Sequence, residues 1–295
     1  MLIVIADDME KEVVDAIAKL GKVAYKPANL KAALKDADAL VVRSATKVTA
    51  ELLDSAPKLR LVARAGVGLD NVDAAACETK GIRVVNTPAA SSNAVAELAI
   101  GLMLSAFRNI AKAHHQMKGG TWEKKALVGR EIEGKTLGII GYGRIGSLVG
   151  RKAAALGMTV IAYNPPPHRG DEVAEFVDDL DEFLARSDVV SIHSALTDST
   201  KNILNRETIA KMKGGAFVIN TARGGIVDED ALYDACKSGK LAGAALDVYS
   251  TEPYKGKLLE LDNVCFTPHL GASTKEAQAR IGKELVEILK AELKK

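Results

Sequence analysis

Residues 134–146 read Gly-Lys-Thr-Leu-Gly-Ile-Ile-Gly-Tyr-Gly-Arg-Ile-Gly, an apolar run closed by three spaced glycines. Thr136–Ile140 has the β-branched content of a buried strand, and the residues after Gly143 read as a helix ending near Gly157. Gly141 permits a tight turn, Gly143 lets backbone approach a phosphate, and Gly146 lets the helix pack on its strand. The first N–H groups of such a helix lack intrahelical partners and suit phosphate oxygens. Glycines also mark ordinary turns, so the spacing alone is weak. Followed by a helix and a further strand at Thr159–Tyr163, it reads as a dinucleotide-binding βαβ unit.

The residue that holds the adenosine ribose is ordinarily an acid at the end of that next strand. Here it is Asn164, in Ile161-Ala-Tyr-Asn-Pro-Pro-Pro167. An amide oxygen can still accept from ribose hydroxyls. It does not repel a 2′-phosphate, and His168 and Arg169 follow closely enough in sequence to attract one. The substitution therefore bears on which dinucleotide binds, leaving NADP open beside NAD.

Outward from this unit, β-branched runs alternate with helical patterns along the chain, the signature of parallel sheets covered by helices. Strands are expected at Leu2–Ala6, Lys22–Tyr25, Ala39–Arg43, Leu61–Arg64 and Arg83–Asn86. A second set is expected at Thr136–Ile140, Thr159–Tyr163, Val189–Ile192, Ala216–Asn220, Gly243–Leu246 and Val264–Thr267. Between the sets, apolar residues at helix spacing (Val95, Leu98, Leu102, Ala106, Ile110) predict one long helix from about Asn93 to Gly119, crossing between domains. A last amphipathic helix, Lys275–Leu293, is expected to return to the first domain. The expected architecture is α/β, two doubly wound parallel-sheet domains, with residues 1–94 and 275–295 forming one and 95–274 the other.

Composition agrees. The 295 residues exceed what one core comfortably serves, and 47% hydrophobic with 26% charged side chains is globular. Forty basic against 38 acidic residues leave +2, which implies neither a nucleic-acid nor a membrane field. The longest apolar runs, such as Ala96–Ala106, are too short to span a bilayer. The first residues lack a basic leader, and Cys77, Cys236 and Cys265 have no metal-ligand spacing, so a cytoplasmic location without a metal is expected.

In open α/β sheets ligands bind beyond the carboxyl ends of the strands. The polar residues there are Asp7, Arg43-Ser44, Arg64-Ala-Gly-Val-Gly68 and Asn86 in the first set. In the second they are the glycine loop, Asn164, His193, Arg223, Asp247 and His269, with Glu252 in the loop after Asp247. A guanidinium matches a carboxylate with two hydrogen bonds. A glutamate bonded to a histidine orients it and favours its imidazolium, so the pair can move a proton to or from a hydroxyl or carbonyl. Arg223, Glu252 and His269 thus suit interconversion of a 2-hydroxy and a 2-oxo acid beside a nicotinamide. The plainer alternative is a surface Arg–Glu pair and a strand-end histidine, which three complementary groups at the cofactor edge disfavour. His193 lacks an acid partner in its motif and reads as structural or cofactor-lining.

The stretches "GKTLGIIGYGRIG", "FVINTARGGIVDEDAL", "GAALDVYSTEP" and "FTPHLGAST" resemble the D-isomer-specific 2-hydroxyacid dehydrogenases over nearly the whole chain. The resemblance implies a flavodoxin-like and a Rossmann-type domain with the active site in the cleft between them. It implies Arg223 as the carboxylate anchor and Glu252–His269 as the acid–base pair. Cofactor positions fall on Arg144, Ile145, Asn164, Ser194, Thr221, Ala222 and Asp247, the last accepting from the nicotinamide carboxamide. NAD is then the expected main cofactor, and a homodimer through the cofactor domain the expected assembly.

"VVRSATKVT" and "ARAGVGLDNVD" are similar to the substrate loops of the D-3-phosphoglycerate dehydrogenases. Arg43, Ser44 and Arg64 supply partners for a phosphate, and the N–H groups of Val67 and Gly68 suit a carboxylate. The expected reaction is oxidation of 3-phospho-D-glycerate to 3-phosphooxypyruvate, the first step towards serine. A glyoxylate or hydroxypyruvate reductase is the alternative in chemistry, and an NAD-sensing corepressor-like binding protein a distant one. Lys124 and Lys125 are either basic groups reaching a substrate across a dimer or a solvated turn. Ser194-Ala195 stands where a residue followed by proline is common in the family. The chain is also expected to lack the C-terminal regulatory domains of longer family members.

Overall fold

The computed structural model describes residues 1–165 and 172–294. It divides into two compact units, Met1–Ser92 with Ala272–Lys295, and Asn93–Gly271. The boundaries expected from sequence, after 94 and after 274, fall two and three residues beyond these.

The first unit is a five-stranded parallel sheet in the order β2-β1-β3-β4-β5. Its strands are β1 (Leu2–Ile5), β2 (Lys22–Tyr25), β3 (Ala39–Val42), β4 (Leu61–Arg64) and β5 (Arg83–Asn86). This is the flavodoxin-like order. Alternate side chains divide between two cores. Ile3, Ile5, Ala39 and Val41 pack under α1 (Lys11–Ala18) and the C-terminal α11 (Lys275–Glu292), through Val13, Ile17, Ile281, Leu285 and Leu289. Val4, Leu40 and Val42 point the other way, onto α2 (Leu30–Leu34), α3 (Ala50–Asp54) and α4 (Ala74–Thr79). The side chains of Asn29, Thr49 and Asp73 accept from the first turns of these three short helices, which fixes where each begins.

The second unit is a seven-stranded parallel sheet in the order β12-β11-β10-β9-β6-β7-β8. In chain order the strands are β6 (Thr136–Ile140), β7 (Thr159–Tyr163), β8 (Ala174–Phe176), β9 (Val189–Ile192), β10 (Ala216–Asn220), β11 (Leu241–Leu246) and β12 (Val264–Phe266). Helices α5 (Ser92–Phe107) and α7 (Arg144–Ala155) cover one face through Leu102, Met103, Phe107, Val149 and Ala153. Helices α8 (Leu180–Arg186), α9 (Arg206–Lys211) and α10 (Glu229–Ser238) cover the other through Phe183, Leu184, Ile209 and Leu232. Strand order reverses between β6 and β9, where a doubly wound sheet opens its ligand crevice.

Two elements differ from the sequence expectation. The long helix is two, α5 and α6 (Ile110–Lys118), because Asn109 takes the left-handed conformation with φ 54°. The carbonyl of Phe107 at the break is taken by the Arg130 N–H at 2.9 Å, which draws the 128–130 segment across the helix end. No single helix among the described residues is long and apolar enough to cross a membrane. The α5–α6 pair passes that test only together, bent by 67°, with Ala96, Ala99 and Leu102 buried against the sheet. The other difference is β8, three residues long and added beside β7, too short for its alternation to register in the sequence.

Candidate active site

The glycine turn leaves β6 with its N–H bonded to the Tyr163 carbonyl. Gly141 has φ 92°, and a Cβ there would lie 2.5 Å from the Ser194 nitrogen, so the backbones after β6 and β9 touch only because it is glycine. A Cβ on Gly146 would lie 2.3 Å from the Gly141 carbonyl, which sets how closely α7 packs on its own turn. Gly143 caps α7 and a Cβ there would meet no protein atom within 4 Å. The first and third glycines are thus required by packing, and the middle one opens outward. Arg144 is exposed and Ile145 half-buried at the start of the helix.

Around this turn, three buried polar atoms have no hydrogen-bond partner among the described residues: Ser194 Oγ, Thr221 Oγ1 and His193 Nδ1. His193 Nε2 lies 2.8 Å from the Ser191 hydroxyl. Burial pushes the imidazole pKa down to about 3, so the ring is neutral at physiological pH. It is therefore unsuited to accept a substrate proton. Ala222 is buried beside Thr221, and its N–H donates to Asn220 Oδ1 at 3.0 Å. Asn220 also donates to the Arg223 carbonyl at 2.9 Å and so pins the whole 220–223 turn. Asn164 is half-buried after β7, and its amide donates to the Pro165 carbonyl at 3.2 Å. His168 and Arg169 lie outside the described residues.

His269 Nδ1 sits 2.9 Å and 3.1 Å from the two carboxylate oxygens of Glu252. A carboxylate only accepts, so Nδ1 carries the proton and Nε2 is left as the basic atom. The histidine is half exposed, at 50%, accessible to a substrate. Its backbone is in the left-handed region at φ 56°, uncommon for a non-glycine residue. Asp247 holds it there. Its carboxylate takes the Thr267 hydroxyl at 2.6 Å and the Leu270 and Gly271 N–H groups at 2.6 and 2.9 Å. About four acceptor sites belong to a carboxylate, so most of Asp247 is committed to the His269 loop. That support role was not visible in the sequence. The Arg223 turn is brought up to the same region by Gly224, where a Cβ would lie 1.9 Å from the Tyr249 carbonyl. Nη1 of Arg223 donates to the Ala222 carbonyl at 2.6 Å.

In the first unit, Ser44 is exposed and Arg43 half-buried after β3. The Arg43 guanidinium donates to the Asp8 carbonyl at 3.1 Å and to the Gln278 side-chain oxygen. Arg43 and Gln278 also line a groove of about 820 Å³ between α1 and α11. Arg64 folds over Gly66, where a Cβ would fall 1.8 Å from its Nη1. Val67 and Gly68 follow, and the Val67 carbonyl accepts from the Asn86 amide at the end of β5. Lys124 and Lys125 are exposed on a short 3₁₀ turn. Asn71 and Gln278, which hold the Arg43 turn and side chain in the first unit, and Asn220, which pins the Arg223 turn in the second, carry no signal of those roles in the sequence. Asn220 hides inside its own strand, and the other two reach Arg43 from loops or helices distant in sequence.

Residues 100–271 match the family model of the NAD-binding domain of D-isomer specific 2-hydroxyacid dehydrogenases. The chain belongs to that family. It is 54% identical to a hydroxypyruvate reductase of Thermotoga maritima, over 88% of this chain and 86% of that protein. It is 47% identical to a D-3-phosphoglycerate dehydrogenase of Methanocaldococcus jannaschii over 99% of this chain, but spans only 57% of that relative. The crystal structure of a glyoxylate reductase from Paecilomyes thermophila superposes with a TM-score of 0.91 at 32% identity, covering 100% and 96% of the two chains. This dehydrogenase is therefore an oxidoreductase using a nicotinamide dinucleotide and a small-molecule substrate. The outward-facing Gly143 at a helix N-terminus and the three orphaned polar atoms beside it fit that cofactor.

Proposed function

We propose that the enzyme oxidises 3-phospho-D-glycerate to 3-phosphooxypyruvate, with Arg223, Glu252 and His269 as its reacting constellation. The observation that carries the chemistry is the bidentate approach of Glu252 to His269 Nδ1. Arg223 and the Val67–Gly68 backbone hold the substrate carboxylate, and His269 Nε2 removes the C2 hydroxyl proton. Glu252 stabilises the imidazolium that results, and in reduction the same proton returns to the carbonyl oxygen. When bound, the nicotinamide ring supplies the hydride acceptor or donor. Gly141, Gly143, Arg144, Ile145 and Gly146 would hold the cofactor's pyrophosphate, and Ser194, Thr221, Ala222 and Asp247 would line its nicotinamide side.

The phosphate assignment rests on Arg43, Ser44 and Arg64, two cations and a hydroxyl that a phosphate would use and a bare 2-oxo acid does not need. Hydroxypyruvate or glyoxylate reduction is the second reading, favoured by the 54% identity to a hydroxypyruvate reductase of nearly matching span. Arg43→Ala separates them. For a phosphoglycerate enzyme it lowers kcat/KM for 3-phospho-D-glycerate by about tenfold or more beyond any loss on glyoxylate, since one charge-assisted contact is worth about 1.5–3 kcal/mol. Equal losses on both substrates favour the reductase.

NAD is the cofactor we assign, with Asn164 on the adenosine ribose. We further assign a homodimer built on α6 and the segment after it, where Ile110, Met117, Trp122 and Val128 are 54%, 54%, 77% and 81% exposed. Such a row of apolar side chains is ordinarily covered by another surface.

A further inference from the structure

Arg43 and Ser44 project from a four-residue turn, 43–46, whose tip (Ser44 and Ala45) is exposed while Arg43 and Thr46 are half-buried. A β-turn commonly pairs the carbonyl of its first residue with the N–H of its fourth. Here both groups are engaged by side chains. The Arg43 and Thr46 N–H groups donate to Asp7 Oδ2 at 2.6 and 3.2 Å, and the Thr46 hydroxyl to Oδ1 at 2.5 Å. From the other side, Asn71 Nδ2 donates to the Arg43 and Thr46 carbonyls at 2.7 and 2.6 Å. One carboxylate therefore holds both N–H groups of the turn's ends, and one amide holds both carbonyls.

Each clamp residue is itself fixed. Asp7 follows β1, an interior strand flanked by β2 and β3, and is only 7% exposed, a burial that a carboxylate tolerates when several donors face it. Asn71 accepts the Val48 N–H at 2.7 Å, beside a parallel bridge between Val48 and Val72. The loops after β3 and β4 are thereby joined independently of the Arg43 and Ser44 side chains.

We infer that Asp7 and Asn71 are positioning residues for substrate recognition, clamping the 43–46 turn so that Arg43 and Ser44 meet the anionic end of the substrate in a fixed geometry. The inference rests on the substrate role proposed for Arg43. It assigns Asp7 a geometric function, which its charge does not serve. In Asp7→Asn the amide oxygen can still accept both N–H groups, while the amide N–H donates to a Thr46 hydroxyl that has rotated to accept. Asp7→Ala and Asn71→Ala each remove one side of the clamp.

The test is steady-state kinetics on the full chain at saturating NAD with 3-phospho-D-glycerate, and separately in the reductive direction at saturating NADH with hydroxypyruvate. NADH affinity is measured alongside by fluorescence titration. Asp7→Ala and Asn71→Ala are expected to raise substrate KM by about tenfold, with kcat within about threefold and NADH Kd within about twofold of the parent. Asp7→Asn is expected to restore KM to within about threefold. A purely structural role would lower stability without this split, and would not be rescued by the amide. If Asp7→Ala does not fold, Asn71→Ala and the milder Thr46→Val carry the test, the latter with a KM rise of about twofold to fivefold. The clamp is overturned if Arg43→Ala raises KM while Asp7→Ala and Asn71→Ala leave it unchanged, or if NADH Kd moves in parallel with KM. An Arg43→Ala enzyme with unaltered KM on every substrate instead overturns the substrate role of Arg43, and the clamp's function with it.

Discussion

At the scale of single residues, the decisive geometry is a proton location. Glu252 fixes the proton of His269 on Nδ1 and leaves Nε2 basic. Glu252→Gln offers an amide that can donate to Nδ1, which moves the ring proton to Nε2 and removes the base. Turnover is then expected to fall by about 10²–10⁴, the worth of positioned general-base catalysis, with NADH Kd unchanged. A variant within tenfold of the parent would show that Glu252 does not set the tautomer. Asn164 makes a second prediction. Asn164→Asp introduces a charge that repels a 2′-phosphate, so the NAD-to-NADP ratio of kcat/KM rises by about tenfold or more. An unchanged ratio means that the position does not read the ribose.

At the scale of elements, the sequence was most legible where one element carries its own instructions. The glycine turn and the strand ends at Arg223 and His269 follow from local spacing. Groups that act through a partner were not legible. Asp7 reaches Arg43 across 36 positions, Asn71 across 28 and Gln278 across 235. The α5–α6 break escaped for the same reason, because apolar periodicity runs through it and the 128–130 segment that fixes it arrives later in the chain. Left-handed backbone at Asn109 costs an ordinary L-residue about 1–2 kcal/mol, while asparagine tolerates it. Asn109→Ala should therefore lower stability by about 1 kcal/mol in denaturant titration, whereas Asn109→Gly should not.

The end of β9 carries a pH-dependent element. His193 is held neutral with a pKa near 3, well below the ordinary value of about 6.5. Between those values the unfolded chain binds a proton that the folded one does not. Stability is therefore whole above pH 6.5 and falls by up to about 1.4 kcal/mol per pH unit below it. His193→Gln removes this contribution, so the stability gap between parent and variant should narrow by about 2 kcal/mol from pH 7 to pH 5. Parallel acid limbs would mean that the imidazole is free to protonate in the fold.

At the scale of the whole molecule, two doubly wound sheets of five and seven strands present their polar residues at carboxyl ends, as the alternation of strands and helices implied. Assembly was legible only as a family expectation. The exposed Trp122 is the chain's one tryptophan, so its fluorescence reports directly on whether a second copy covers it. Trp122→Glu is expected to convert a sedimenting dimer to a monomer, and a parent already monomeric at micromolar concentration would remove the assignment. The chemistry proposed for the molecule turns on His269. Its most direct test is single-turnover reduction of hydroxypyruvate by NADH in His269→Ala, read as loss of NADH absorbance with NADH Kd measured alongside. The account predicts a rate lower by about 10²–10⁴ with NADH binding intact. A variant that turns over at near the parent rate would contradict it.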